Sequence, residues 1–340
     1  VKAIEITEPN AVRIIERPDP TPGPGEVLLQ IDTVGYCGTD LSTFRGRNPL
    51  VTYPRVPGHE VAATVLGDGG EAGDWKAGES VLVFPYTECG ACASCFAGRP
   101  NCCQHNQTLG VQRDGLLAEQ AVVPHAKLMR AEGLSARELA LVEPLTVGAH
   151  AAARGAVAEG EVVAVFGCGA IGLGAVAAAA NLGATVVAID VDDRKLSIAE
   201  ACGAAISVNS SKDDLAARLS DATQDHGPSV VIEAVGLPET FRAAVELVSF
   251  AGRVVYVGYA KQPVEYETKW FVMKELDIRG SRNALAADFQ SVIEMLRAGR
   301  VPTTEIVTHE TTLADAPKAL EDWSAAPGEV TKVHVRVAAS

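Results

Sequence analysis

Short Val, Ile and Leu runs broken by Pro and Gly fill the first 145 residues, with apolar stretches at 26–34, 61–66, 80–84 and 119–124. Runs of that length, bounded by turn residues, predict strands. The segment Pro18-Asp19-Pro20-Thr21-Pro22-Gly23-Pro24-Gly25 can sustain neither helix nor ladder and marks a surface loop. An antiparallel, barrel-like β domain follows. From 146 to 278 the texture changes to short buried runs at 162–166, 185–190, 205–208, 229–234, 253–257 and 276–279. These alternate with helical stretches at 170–182, 194–202, 215–223 and 238–247. That alternation predicts a parallel sheet wrapped on both faces. The last 60 residues, with a helix near 287–298, are expected to return to the first domain. The expected division is therefore 1–145 completed by 279–340, with 146–278 inserted as a doubly wound α/β domain.

Charge narrows the partners. Against 43 Asp and Glu stand 29 Lys and Arg, a net charge of −14 over 340 residues. Such a surface repels phosphate backbones and anionic lipid, which disfavours nucleic acid and membrane as partners. With 47% hydrophobic and 21% charged residues the composition is globular. No basic-then-apolar leader is read at the N-terminus, and the Ala- and Gly-rich stretch 170–180 reads as a buried helix, so a cytoplasmic protein is expected. Five of the eight cysteines fall between 89 and 103, a crowding that points to metal rather than to disulfides.

The run Val162-Val163-Ala164-Val165-Phe166 leads directly into Gly167-Cys168-Gly169-Ala170-Ile171-Gly172. After a strand and before a helix, the first glycine permits a tight turn and the second lets a pyrophosphate approach the backbone. The third allows helix and strand to pack closely, and the helix N-terminus faces the phosphates. The next strand ends in Asp190, a carboxylate placed to accept the adenosine ribose hydroxyls and to repel a 2′-phosphate. NAD is expected over NADP, a preference that Arg194 and Lys195 could soften. Cys168 reads as a small filler.

Two metal constellations are visible. Cys89, Cys92 and Cys95, with Cys103 or Cys102 as the fourth thiol, can close a tetrahedron around zinc and leave no open position, which makes a structural site. Cys37 in Gly35-Tyr36-Cys37-Gly38-Thr39-Asp40, and His59 beside Glu60, offer two ligands of a catalytic site that requires a third.

Gly-Tyr-Cys-Gly-Thr-Asp, Pro-Gly-His-Glu, the Cys cluster, Val142-Glu143-Pro144-Leu145 and the glycine turn with Asp190 follow one another in this chain. Their order resembles the zinc-dependent medium-chain alcohol and polyol dehydrogenases. The resemblance implies a GroES-like catalytic domain with an inserted Rossmann domain, two zinc ions per chain, NAD, and a homodimer or homotetramer joined at the sheet edge near 253–259. It implies catalytic zinc at Cys37, His59, Glu60 and Glu143, and structural zinc at Cys89, Cys92, Cys95 and Cys103. Cofactor contacts fall on Gly167, Gly169, Ile171, Gly172, Asp190 and Arg194. Glu143, where alcohol dehydrogenases place a Cys, resembles the sorbitol dehydrogenase branch; the plainer alternative is a cap on a helix starting at Pro144. Thr39 would pass on the substrate proton, although Ser42 stands where the relay often continues through a His. Asp40 would orient His59, and His150 would pack rather than bind metal. Residues 48–50 and 53–55 look like bacterial sugar-acid dehydrogenases of the L-galactonate 5-dehydrogenase type. Arg282, followed by Asn283, stands where sorbitol dehydrogenases carry a substrate-side Arg; an ion pair or a cofactor-phosphate contact is the alternative for it. The implied reaction is oxidation of a secondary hydroxyl of a polyol, sugar or sugar acid to the ketone. The alternatives are a simple-alcohol or aldehyde enzyme of the same fold, and a non-catalytic nicotinamide-binding regulator.

Overall fold

A computed structural model describes residues 1–338 as two units, Val1–Glu143 with the segment from Ile306 onward, and Pro144–Glu305. In the first, a seven-stranded sheet runs in the order His309–Thr312, Val333–Arg336, Glu26–Tyr36, Glu60–Asp68, Ser80–Val83, Leu128–Arg130, with Gln120–Pro124 also paired to Glu26–Tyr36. Over residues 26–33 of strand Glu26–Tyr36 buried and half-buried positions alternate, as strand geometry requires, and the end of the strand is buried throughout. Its inward residues Val27, Leu29, Ile31 and Val34 join Ile4, Ile6, Val61 and Val65 in one core. The four strands expected here are present. The hairpin Lys2–Glu8/Ala11–Glu16 and the strands Leu128–Arg130, His309–Thr312 and Val333–Arg336 were not anticipated.

The second unit is a six-stranded parallel sheet ordered Ile206–Asn209, Thr185–Asp190, Val162–Phe166, Val230–Glu233, Arg253–Tyr256, Asp277–Gly280. Counted in chain order this is 3-2-1-4-5-6, the dinucleotide-binding arrangement. Its crevice opens at the carboxyl ends of Val162–Phe166 and Val230–Glu233, where the winding reverses. The central strands Val162–Phe166, Thr185–Asp190 and Val230–Glu233 are mostly apolar and buried, as strands covered on both faces are.

Three expectations need correction. Residues 279–305 belong to the second unit. Strand Asp277–Gly280 extends its sheet, and helix Ala286–Arg297 buries Phe289, Val292, Ile293 and Leu296 while its Asp288 bonds His150. Arg253–Tyr256 is not the sheet edge, being paired on both sides; the edge is Asp277–Gly280. Finally, no helix starts at Pro144. Helix Ala136–Arg154 begins seven residues before Glu143, where Ser135 and Glu138 exchange hydrogen bonds, and carries Pro144 in its interior. Pro144 has no N–H for the Ala140 carbonyl. Among the described residues no helix is long and apolar enough to cross a membrane.

Candidate active site

Antiparallel register assembles the first cluster. Gly35 lies opposite Glu60, so the end of Glu26–Tyr36 and the start of Glu60–Asp68 bring Cys37, His59 and Glu60 together. Their ligand atoms all lie within 4.8 Å of one another. Only glycine fits at 35: a Cβ there would sit 1.9 Å from Glu60 Oε2. Cys37 is the N-cap of helix Gly38–Phe44, and Asp40 Oδ2 accepts its backbone N–H at 2.9 Å. Asp40 therefore spends one oxygen on capping and makes no hydrogen bond to His59. Its Oδ1 and His59 Nδ1 are both buried and lack hydrogen-bond partners in the structure. Thr39 and Ser42 are half-buried on the same helix.

Acidic groups crowd this cluster and act on its basic ones. Burial opposes a charged His59, but its hydrogen bond to Cys37 and the charges of Asp40, Cys37 and Glu143 outweigh that and hold its pKa well above the ordinary value. Burial likewise raises Asp40 and Glu143. Lys332, missed in the sequence, partly answers this charge. Its Nζ reaches Glu60 Oε1 at 2.6 Å, Oε2 at 2.8 Å and the Tyr36 carbonyl at 3.2 Å, with both side chains buried. Burial works against a charged Lys332, yet Glu60, Cys37 and Glu143 together raise its pKa. Glu143 is buried and in electrostatic reach, but it is not one of the three mutually close ligands. Its Oε1 accepts the Tyr86 hydroxyl, a second partner not anticipated.

The thiols of Cys89, Cys92, Cys95 and Cys103 form the second cluster. Sulfur separations are 3.5 Å for Cys92–Cys95, 3.8 Å for Cys92–Cys103 and 3.5 Å for Cys89–Cys103. A zinc tetrahedron with bonds of about 2.3 Å has edges of about 3.8 Å, so these residues fit a four-thiolate zinc. Cys102 points elsewhere, with Arg99 Nη2 3.6 Å from its sulfur. The first cluster fits a metal on different grounds: an orphaned imidazole nitrogen among buried anions, with a thiolate, an imidazole and a carboxylate converging.

In the second unit Gly167 has φ +90°, and a Cβ on Gly172 would lie 1.7 Å from the Gly167 carbonyl oxygen. Gly169, N-cap of helix Ala170–Asn181, faces open space, and Ile171 is half-buried beside it. Asp190 Oδ2 accepts the Cys168 N–H at 2.7 Å, and Oδ1 accepts those of Val191 and Asp192 at 2.7 and 3.1 Å. Arg194 pairs with Asp192 at 3.0 Å. Cys168 is fully buried and burial pushes its thiol far up, which makes it an inert filler. Arg282 and Asn283 follow strand Asp277–Gly280 in this unit, outside the one that holds Cys37, His59 and Glu60. His150 does more than pack: its Nδ1 lies 2.8 Å from Asp288 Oδ2.

Comparison with known proteins matches both units. The family model "Alcohol dehydrogenase GroES-like domain" matches residues 23–133, and "Zinc-binding dehydrogenase" matches residues 170–298. The chain is 37% identical over 295 residues to L-galactonate-5-dehydrogenase of Escherichia coli (strain K12), covering 86% of each. It is 32% identical over 346 residues to sorbitol dehydrogenase of Bacillus subtilis (strain 168), covering 98% of this chain and 97% of the relative. Among solved structures, an alcohol dehydrogenase from E. coli CFT073 complexed with NADH matches with a TM-score of 0.90 at 32% identity, covering 98% of both chains.

Proposed function

We propose a reaction for a chain that belongs to the zinc-type medium-chain alcohol and polyol dehydrogenases: NAD-linked oxidation of a secondary hydroxyl of a polyol, sugar or sugar acid to the ketone, and its reverse. Its chief support is the convergence of Cys37, His59 and Glu60 in a pocket of buried negative charge. When bound, zinc would supply Lewis acidity to the substrate hydroxyl, and the nicotinamide would supply the hydride acceptor.

The chain's own residues do the rest. Cys37, His59 and Glu60 would hold the catalytic metal with Glu143 beside them, and Cys89, Cys92, Cys95 and Cys103 a structural one. Thr39 would relay the proton of the substrate hydroxyl, taking it up as its own hydroxyl proton passes on towards the ribose hydroxyls. The turn of Gly167, Gly169, Ile171 and Gly172 would seat the pyrophosphate against the N-terminus of helix Ala170–Asn181. Asp190 would take the ribose hydroxyls and repel a 2′-phosphate, which favours NAD, and Arg194 is proposed as a further cofactor contact. Arg282 and Asn283 are proposed on the substrate side. We also propose a homodimer joined along the edge strand Asp277–Gly280, and a cytoplasmic location, which suits eight cysteines outside any disulfide.

The deciding experiment follows reduced-nicotinamide absorbance with NAD or NADP across polyols, aldonic acids and simple alcohols. Turnover with NAD and polyhydroxylated substrates, lost to a chelator, is expected. Turnover with simple alcohols alone would overturn the substrate class. Silence from metal-replete protein would favour a non-catalytic nicotinamide binder.

A further inference from the structure

Tyr86 has no place in the reaction above, yet its hydroxyl ends on the one acid of the site that stands apart from the three-ligand cluster. The residue occupies the short strand Tyr86–Thr87, and its side chain is buried. Its ring is wedged edge-on against Phe84, with centroids 5.2 Å apart and planes at 87°, which restricts where the hydroxyl can point. That hydroxyl donates to Glu143 Oε1. Glu143 is thus gripped from the strand while Cys37, His59 and Glu60 lie within 4.8 Å of one another without it.

Resting on the metal assignment above, we propose that Tyr86 is a positioning residue that holds Glu143 back from the metal, so that Glu143 acts on a water or substrate hydroxyl and the fourth coordination position stays open. A hydrogen bond to one oxygen sets a carboxylate's orientation and competes with a cation for that oxygen alone. A phenol donor competes without adding a charge of its own. Lys332 treats Glu60 differently, reaching both oxygens with a full positive charge. The two acids therefore enter the site under unlike restraints, one by an ammonium and one by a neutral hydroxyl.

The test uses Tyr86→Phe, which keeps the ring against Phe84, and Glu143→Gln as the second arm, each as full-length protein loaded with cobalt(II). Visible difference spectra against the parent isolate the catalytic centre, because the four-thiolate cluster is common to all. The expected result for Tyr86→Phe is a changed d–d band pattern, reporting an added carboxylate ligand. With it should come about tenfold slower metal release to a chelator and a raised KM for substrate. In the Glu143→Gln background the same Tyr86→Phe change should have no spectral effect. Unaltered spectra and metal release in Tyr86→Phe, or an equal change in both backgrounds, would overturn the role. Uptake of only the metal bound by the cysteine cluster would overturn the catalytic metal site itself, an outcome separate from the first because it appears already in the parent protein.

Discussion

At the scale of single residues, the gathering of Cys37, His59 and Glu60 was legible and the restraints on them were not. Cys37 and His59 sit in short glycine-flanked motifs whose residue types announce metal chemistry. Lys332 is one Lys before a short strand, and nothing local says that it turns inward; only the pairing of Val333–Arg336 with Glu26–Tyr36 brings it to Glu60. Tyr86 is invisible for the same reason. Asp40 shows the converse: the sequence suggested a carboxylate serving His59, and the backbone N–H of Cys37 claimed it. The Glu60–Lys332 pair yields a prediction. Lys332→Met leaves a buried carboxylate without its counter-charge, a loss of about 3–5 kcal/mol. Urea denaturation of the metal-free protein should show it, and adding Glu60→Gln should recover most of it. If Lys332→Met matches the parent, the pair contributes nothing to stability.

At the scale of elements, strand–helix alternation in the second unit could be read almost residue by residue, since its central strands are mostly apolar runs buried on both faces. Failures came where an element is too short for periodicity, as in Leu128–Arg130 and His309–Thr312, or where a breaker residue sits inside one. Pro144 suggested a helix start, but seven residues of helix with their own cap precede Glu143, and tertiary burial carries the helix through. The glycine turn separates packing from binding. Gly172→Ala drives a Cβ to 1.7 Å from the Gly167 carbonyl oxygen, so it should lower the melting temperature as well as NADH affinity. Gly169→Ala meets open space in the protein and only the pyrophosphate would feel it, so it should leave the melt unchanged and weaken NADH binding about tenfold, near 1.4 kcal/mol. Fluorescence titration beside a thermal melt distinguishes the two; parent-like NADH affinity in Gly169→Ala would remove the pyrophosphate from this turn.

At the scale of the molecule, the interrupted organisation was legible from texture, but the point of return was misplaced because strand Asp277–Gly280 is followed by residues that resemble neither texture. That strand carries polar and exposed positions, as an edge strand does, rather than the apolar run of its neighbours. Its exposed edge drives the last prediction. Phe250, Val272 and Met273 are exposed in the turn and short helix before it, and Ile278 is 42% exposed on the strand. Antiparallel pairing of two copies about Ile278 would set Asp277 of each against Arg279 of the other, so the edge is self-complementary under a two-fold axis. Within one chain Arg279 Nη2 already lies 2.8 Å from Asp277, ready to exchange that partner for its equivalent across the axis. Ile278→Lys would place two ammonium groups opposite each other at the centre of the junction. For the proposed edge-to-edge dimer, light scattering should report a dimer for the parent and a monomer for Ile278→Lys, with the thermal melt of the isolated chain little changed because the position is solvent-exposed. A parent that is monomeric, or an Ile278→Lys variant that stays dimeric, would move the interface elsewhere on the surface.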